Sequence, residues 1–114
     1  MSIDLSELFE TQRILHARMG DCTGVGEAGV KENLLHVIVE AVEAMQEINF
    51  KPWKAKRIAV DRVALATELT DILQFWVNAA LAMDLTADDL TAALRAKWDV
   101  NQQRIDDGEV RRAE

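Results

Sequence analysis

The sequence has almost none of the residues that mark secreted, membrane-spanning or β-rich proteins. Of its 114 residues, one is cysteine, one is proline and none is tyrosine. The lone Cys22 excludes a disulfide within the chain and favours a reducing compartment. The acidic segment MSIDLSELFE lacks the apolar core of a signal peptide, and no run approaches the ~18 apolar residues of a membrane span. We therefore expect a cytoplasmic protein that does not enter a membrane.

Positive charge is also scarce. Lys and Arg number 13 against 20 Asp and Glu, which gives a net charge of -7 and a pI of about 4.8. A protein that binds nucleic-acid polymers needs a basic stripe that displaces counterions, and anionic membranes attract basic surfaces. The composition therefore argues against both kinds of partner.

The sequence does contain helical periodicity along most of its length. Its size fits one domain, and 49% of its residues are hydrophobic, which is enough for a core. No segment alternates with the period of a strand. We predict a single all-α domain over residues 1–114, a four-helix-type bundle. The helices are expected at about 3–19, 30–49, 61–83 and 86–105, with a glycine-rich loop at 20–29 and a frayed tail from about 106 to 114.

Helix ends and apolar faces refine this prediction. Asp61 is a suitable N-cap, and Thr86 followed by Asp89 resembles a capping box. The second and third helices are rich in Ala, Val and Leu on more sides than one chain can cover. We therefore expect a homodimer or a higher homo-oligomer that associates through these long apolar helices.

Acidic side chains form one narrow stripe on the second predicted helix. At about 100° per residue, Glu40, Glu43 and Glu47 fall in one sector together with His36. Apolar residues fill most of the remaining circle. Like charges at this spacing repel each other, and more strongly when partly buried.

The third predicted helix repeats this design. Glu68 and Asp71 share a face with Asn78, and the opposite side is apolar. Divalent cations offset the repulsion between gathered carboxylates, and oxygen ligands suit Mg²⁺ or Mn²⁺. A stripe of acids is also what a solvated helix face looks like, so the pattern alone leaves that alternative open.

A di-iron carboxylate centre is a third interpretation of the stripe. Such centres use a Glu-x-x-His motif on each of two helices. His36 instead precedes Glu40 by four residues, and the third helix has no histidine. The sequence therefore disfavours this interpretation.

The two acid pairs resemble the metal-binding signature of the all-alpha nucleoside triphosphate pyrophosphohydrolases, the MazG-like superfamily. Four further segments are similar to motifs of the dimeric dUTPases within that superfamily: LFETQRIL, VEAVEAMQEINFKPW, ELTDILQFW and KWDVNQQR. The resemblance spans about residues 8–104. It implies Mg²⁺-dependent hydrolysis of a nucleoside triphosphate, dUTP before others, to the monophosphate and pyrophosphate.

The resemblance also implies roles for individual residues. The implied Mg²⁺ ligands are Glu40, Glu43, Glu68 and Asp71. Glu43 or Glu47 would activate the attacking water, and the sequence does not choose between them. The implied phosphate-binding residues are Lys97, Asn101 and Arg104. The base or nucleoside would contact Gln12, Phe50 and Trp53, to which the helical pattern adds Asn78.

Several alternatives stay open at this point. Thr67 and Gln74 stand where the family often has an acid and a histidine, so a dCTPase or a broad house-cleaning pyrophosphatase would share the same acids. On spacing alone, a solvated helix face explains Lys97 and Arg104 better than phosphate binding does. The rival from another class is a helical dimer that serves as a non-catalytic interaction module.

Overall fold

The computed structural model describes residues 1–19 and 24–108, and within them the chain forms four helices and no strand. The helices are α1 (Leu5–Met19), α2 (Gly26–Gln46), α3 (Arg62–Ala82) and α4 (Ala87–Asp106). The predicted all-α fold is confirmed. Cys22 and the end of the predicted tail, residues 109–114, lie outside the described residues. In the described part, none of the helices has the length and apolar character needed to cross a membrane.

The predicted start of α2 was wrong, because part of the glycine-rich segment is helical. The helix begins at Gly26. Gly24 and Gly26, which lead into it, have positive φ angles of 73° and 66°. Gly29, expected in the loop, is a buried helical residue whose added Cβ would come within 2.9 Å of the Ala82 Cβ on α3. The same Cβ would come within 2.5 Å of the Gly24 carbonyl oxygen, so this glycine allows close approach of both the preceding loop and α3.

The other end of α2 also differs from the prediction. The helix stops at Gln46, well before Pro52, and its last turn is closed by two backbone bonds: the Glu47 N–H donates to the Ala44 carbonyl, and the Ile48 N–H donates to the Met45 carbonyl. The chain then enters a loop that the Asn49 side chain closes. Asn49 Nδ2 donates to the Ile58 carbonyl at 3.0 Å, and Asn49 Oδ1 accepts from the Ile58 N–H at 2.8 Å.

Helices α2 and α3 form the longest packed pair of the molecule, and they run antiparallel. Gly29, near the start of α2, lies against Ala82 at the end of α3. Closer to the middle, the His36 ring stacks on Phe75 with centroids 4.6 Å apart and planes 13° from parallel. These two contacts fix the register of the α2–α3 seam, the line along which the facing sides of the two helices meet.

The core of the single chain is small. Its buried apolar residues are Phe9, Ala44, Val77, Ala79 and Ala80. Phe9 of α1 meets Trp76 of α3 edge to face at 6.4 Å between centroids. The first turn of α4 completes this cluster through Ala87 and Leu90.

Much apolar surface stays uncovered in one chain. Exposed large hydrophobic residues on α2 include Leu35, Ile38, Val39, Val42 and Met45. Beyond its first turn α4 is open to solvent, because every residue from 92 to 106 is exposed. The radius of gyration is 17.4 Å, whereas a compact domain of this length has about 13 Å. One chain by itself is therefore an open arrangement of helices.

Asp61 and Thr86 cap α3 and α4 as predicted. For α4, Thr86 Oγ1 accepts from the Asp89 N–H at 3.1 Å, and the Thr86 N–H donates to Asp89 Oδ2 at 2.8 Å. The backbone and hydroxyl of Thr86 also lower the pKa of the Asp89 carboxyl. For α3, Asp61 Oδ1 accepts from the N–H groups of Val63 and Ala64.

We expect Thr86→Ala to lower the free energy of unfolding by about 1 kcal/mol, the usual cost of an N-cap threonine. Urea denaturation at one fixed protein concentration measures this difference. Thr11→Ala is the matched control, because Thr11 is exposed within α1 and alanine is the better helix former there. Equal stability of the two variants would contradict a capping role for Thr86.

Candidate functional site

The acidic stripes of α2 and α3 meet across the α2–α3 seam. One turn beyond the His36–Phe75 stack, the register brings Glu40 and Glu43 opposite Asp71 and Glu68. One carboxylate oxygen from each of Glu40, Glu68 and Asp71 can be chosen so that all three lie within 4.8 Å of one another. We call Glu40, Glu43, Glu68 and Asp71 the acid cluster.

Two oxygen atoms of the acid cluster lack a hydrogen-bond partner. They are Glu40 Oε2 and Glu68 Oε2, and both atoms are buried. No lysine, arginine or histidine within residues 1–19 and 24–108 forms an ion pair with the cluster. A buried carboxylate oxygen without a donor or a cation is costly, so a bound cation would stabilise this arrangement.

The pKa values of two carboxyls in the acid cluster are raised, which shows that they are crowded. Burial raises the pKa of Glu40, and the close approach and charge of the Glu43 carboxylate raise it further. Burial is also the largest cause of the raised pKa of Glu68, followed by the charges of Glu43 and Asp71. The charge of Glu47 adds to this effect on Glu68, so a fifth carboxylate lies close to the cluster.

These observations favour a cation site over a solvated helix face. On a solvated face, carboxylates point into water and are separated from one another. Here partly buried carboxylates converge from two helices, and two of their oxygens have no partner. The donors are all oxygen atoms, which is the ligand set of a hard divalent cation.

Two amide side chains form a buried pair beside the core. Gln12 Nε2 on α1 donates to Asn78 Oδ1 on α3 at 3.0 Å. Gln12 is 6% exposed and Asn78 is 8% exposed. The structure thus brings together the two residues that the sequence had suggested for the base, and it places Asn78 two turns along α3 from Asp71.

Asn33 belongs to the same seam, and the sequence analysis missed it. It is fully buried, and its Nδ2 donates to the Gly29 carbonyl at 2.8 Å while its Oδ1 has no partner among the described residues. It lies between the Gly29 and His36 contacts, at the level of Asn78. The signal was present, because Asn33 precedes Glu40 by two helical turns and falls in the same sector of α2.

The two aromatic candidates lie in the loop between α2 and α3. Phe50 is 44% exposed and Trp53 is 76% exposed. Trp53 is therefore not packed over the end of the helices within one chain. Lys51 Nζ lies over the Phe50 ring at 5.4 Å from its centroid. Both rings are therefore accessible to a ligand.

The three phosphate-binding candidates are not brought to the acid cluster within one chain. Lys97, Asn101 and Arg104 are exposed in the outer part of α4, where every residue from 92 to 106 is exposed. The structure therefore brings the four acids together and pairs Gln12 with Asn78, whereas Lys97 and Arg104 lie on the exposed part of α4.

Comparison with known proteins gives a family match. A family model described as dUTPase matches residues 4–103, which is most of the chain. The matched range contains every candidate site residue except Arg104, which directly follows it. No curated protein and no solved structure matches the chain significantly.

The raised pKa values predict that the metal-free protein loses stability as pH rises. A carboxyl whose pKa is higher in the folded chain than in the unfolded chain holds more protons when folded. Its contribution to stability is therefore full below the ordinary value of 4.5 and is lost as pH rises through the raised value. Glu40→Gln removes one such group.

Melting temperatures in the presence of a chelator, from about pH 4 to about pH 7, test this prediction. We expect wild type to fall relative to Glu40→Gln across this range. Asp99→Asn, an exposed acid on α4, is the control and should follow wild type. A wild type that gains stability relative to Glu40→Gln with rising pH would contradict the assignment.

Proposed function

The chain belongs to the family of all-alpha dUTPases with the MazG-like fold, and we propose that it hydrolyses a nucleoside triphosphate, dUTP first among them. The products would be the nucleoside monophosphate and pyrophosphate, and the reaction would need Mg²⁺, which Mn²⁺ could replace. The observation that carries the proposal is the acid cluster, with two buried carboxylate oxygens that lack a partner.

The acid cluster is the proposed metal site. Its four carboxylates would hold Mg²⁺: Glu40, Glu43, Glu68 and Asp71. Bound Mg²⁺ would neutralise substrate phosphates and lower the pKa of a water molecule. The fit rests on the oxygen-only donor set and on the orphaned oxygens of Glu40 and Glu68.

Two carboxylates are candidates for the general base. Glu43 is exposed at the edge of the cluster, and Glu47 is partly buried one turn further along α2. Either carboxylate could take the proton of the water that attacks the α-phosphate. Lys97 and Arg104 would bind the phosphates together with Asn101, and their positive charge would stabilise the leaving pyrophosphate.

We propose that the buried amide pair, Gln12 and Asn78, recognises the base. Because Gln12 Nε2 donates to Asn78 Oδ1, the remaining polar groups are the Gln12 carbonyl, an acceptor, and the Asn78 Nδ2, a donor. The Watson–Crick edge of uracil offers a donor, N3–H, beside carbonyl acceptors. Phe50 and Trp53, exposed in the loop between α2 and α3, would stack on the nucleoside.

A panel of common ribo- and deoxyribonucleoside triphosphates, incubated with Mg²⁺ and separated by chromatography, tests the proposal. We expect dUMP and pyrophosphate from dUTP. Glu68→Gln should lower kcat/KM by at least ~100-fold, because loss of metal binding removes several kcal/mol of transition-state stabilisation. Asp99→Asn, on the surface of α4, is the control that should keep full activity.

The other outcomes of this panel are equally informative. Preferential turnover of dCTP would indicate a dCTPase, and turnover of many nucleotides a house-cleaning pyrophosphatase. Absence of turnover with both Mg²⁺ and Mn²⁺ would favour the non-catalytic helical dimer.

A pair of isosteric variants would identify the general base. Glu43→Gln removes one charge from mutually repelling carboxylates, so the metal-free variant should be at least as stable as wild type. If Glu43 is the base, kcat should fall by ~100-fold or more, as for other general bases, while Glu47→Gln keeps most activity. An active Glu43→Gln enzyme would transfer the role to Glu47.

The rise in melting temperature with Mg²⁺ and a non-hydrolysable nucleotide separates loss of binding from loss of chemistry. Ligand at a hundred times its Kd adds about 2.7 kcal/mol to the stability of a protein that binds it only when folded. A variant that keeps this rise but loses turnover has lost the chemical step.

A further inference from the structure

Asn33 of α2 and Asn78 of α3 lie at the same level of the α2–α3 seam. The two contacts that fix the register stand on either side of this level: Gly29 with Ala82, and His36 with Phe75. Along α2, Asn33 is four residues from the first contact and three from the second. Along α3, which runs the other way, Asn78 is separated from the same contacts by four and three residues. The register therefore places the two asparagines opposite each other.

Both asparagines are buried, and their unused polar groups are complementary. Asn33 is 0% exposed, and its Oδ1 has no hydrogen-bond partner. A buried carbonyl oxygen without a donor is costly. Asn78 accepts from Gln12 through Oδ1, so its Nδ2 is the group that this bond does not use. An acceptor that lacks a donor thus lies opposite a side chain that can donate.

The backbone fixes which end of the Asn33 amide is free. An asparagine amide can turn over and exchange the places of its oxygen and nitrogen. Asn33 Nδ2 donates to the Gly29 carbonyl at 2.8 Å. A backbone carbonyl can only accept, so the turned amide would bring two oxygens together at that distance. The seam therefore always receives the Asn33 oxygen as an acceptor.

A bond from Asn78 Nδ2 to Asn33 Oδ1 would pass this orientation along a chain of three amides. The structure leaves that bond open. With it formed, Asn78 must turn its Oδ1 towards Gln12, and this is the orientation observed, with Gln12 Nε2 donating to Asn78 Oδ1 at 3.0 Å. Gln12 then keeps Oε1 as a free acceptor. Each amide thus has one orientation that agrees with the bond before it.

The orientation of the Gln12 amide distinguishes uracil from cytosine. Uracil N3 carries a hydrogen and donates, whereas cytosine N3 accepts. A carbonyl oxygen that faces N3 therefore pairs with uracil, and the second Nε2 hydrogen can reach the neighbouring uracil carbonyl. The turned amide would suit cytosine instead, with its nitrogen on N3 and its oxygen on the amino group. A site built for one hydrogen-bonding pattern discriminates strongly against the other.

We propose that Asn33 is a positioning residue that sets the base preference of the site. It holds Asn78, and through Asn78 it holds Gln12, so that the Gln12 oxygen faces N3 of the base. The site then takes bases with an N3–H, which are uracil and thymine, and disfavours cytosine. This inference rests on the proposed function, because the base belongs to the substrate of that reaction. Asn33 itself touches no substrate.

Two substitutions of Asn33 separate its acceptor from its bulk. Asn33→Leu has a similar size and no polar group. Asn33→Thr is the matched control, because a threonine hydroxyl can donate to the Gly29 carbonyl and still accept from Asn78. Thr67 and Thr70 already make this kind of bond on α3, donating to the carbonyls four residues earlier at 3.0 and 2.8 Å.

The readout is the ratio of kcat/KM for dUTP to kcat/KM for dCTP, measured with Mg²⁺. In Asn33→Leu the amides of Asn78 and Gln12 are free to turn, so this ratio should fall at least ~10-fold, partly through a gain of dCTP turnover. Asn33→Thr should keep a ratio close to that of wild type. A purely structural defect would lower both activities together and leave the ratio unchanged. An active Asn33→Leu enzyme with the wild-type ratio would therefore overturn the proposal, as would a wild type that prefers dCTP.

Nuclear magnetic resonance of the isotope-labelled wild type tests the order of the amides without any nucleotide. We expect nuclear Overhauser effects from the Gln12 amide protons to the β-protons of Asn78, and from the Asn78 amide protons to the β-protons of Asn33. Effects from the Asn78 amide protons to the Gln12 γ-protons, with none to Asn33, would show the reverse order and overturn the proposal. This measurement also decides the matter if Asn33→Leu does not fold.

The two experiments distinguish failure of this inference from failure of the proposed function. A wild type that turns over no nucleotide would refute the proposed function, and the order of the amides in the wild-type spectra would then decide the role of Asn33 alone. A wild type that hydrolyses dUTP with the reverse order of amides would keep the proposed function and refute the role of Asn33.

Discussion

Gly29 lets α2 approach α3 so closely that any larger side chain there would collide with Ala82. Every later contact along the α2–α3 seam depends on this approach, because two helices in contact have one register. The stack of His36 on Phe75 repeats that register in the middle of the pair. The convergence of Glu40, Glu68 and Asp71 one turn further is therefore a consequence of helix packing, and needs no loop to place the acids.

Packing and electrostatics oppose each other at this point of the seam. Contacts on either side hold the carboxylates together, while burial and mutual repulsion raise the pKa values of Glu40 and Glu68. The acids stay close because rigid helices carry them, which is the condition for a preformed metal site. The repulsion that lowers the stability of the metal-free chain therefore also favours binding of a divalent cation.

Sequence patterns anticipated what depends on local periodicity. The helical sectors of Glu40 and Asp71, and the capping box of Thr86 and Asp89, follow from spacing along a single helix. The start of α2 did not follow, because a helical glycine that lets a loop and a neighbouring helix come close looks the same in sequence as a glycine in a turn. Asn33 was missed because its burial depends on α3. The separation of α4 from the seam was equally hidden, since an apolar stripe predicts a packed face without naming the surface that covers it.

The separation of acids and cations has a physical advantage that a compact single chain would lack. A lysine or arginine placed permanently beside the acid cluster would pair with its carboxylates and compete with a divalent cation for the same oxygens. Cations carried on the outer part of α4 avoid this neutralisation in the single chain, where Lys97 and Arg104 remain exposed. In the proposed reaction they would meet the acid cluster across the phosphates of the substrate, so the ligand would bridge the opposite charges.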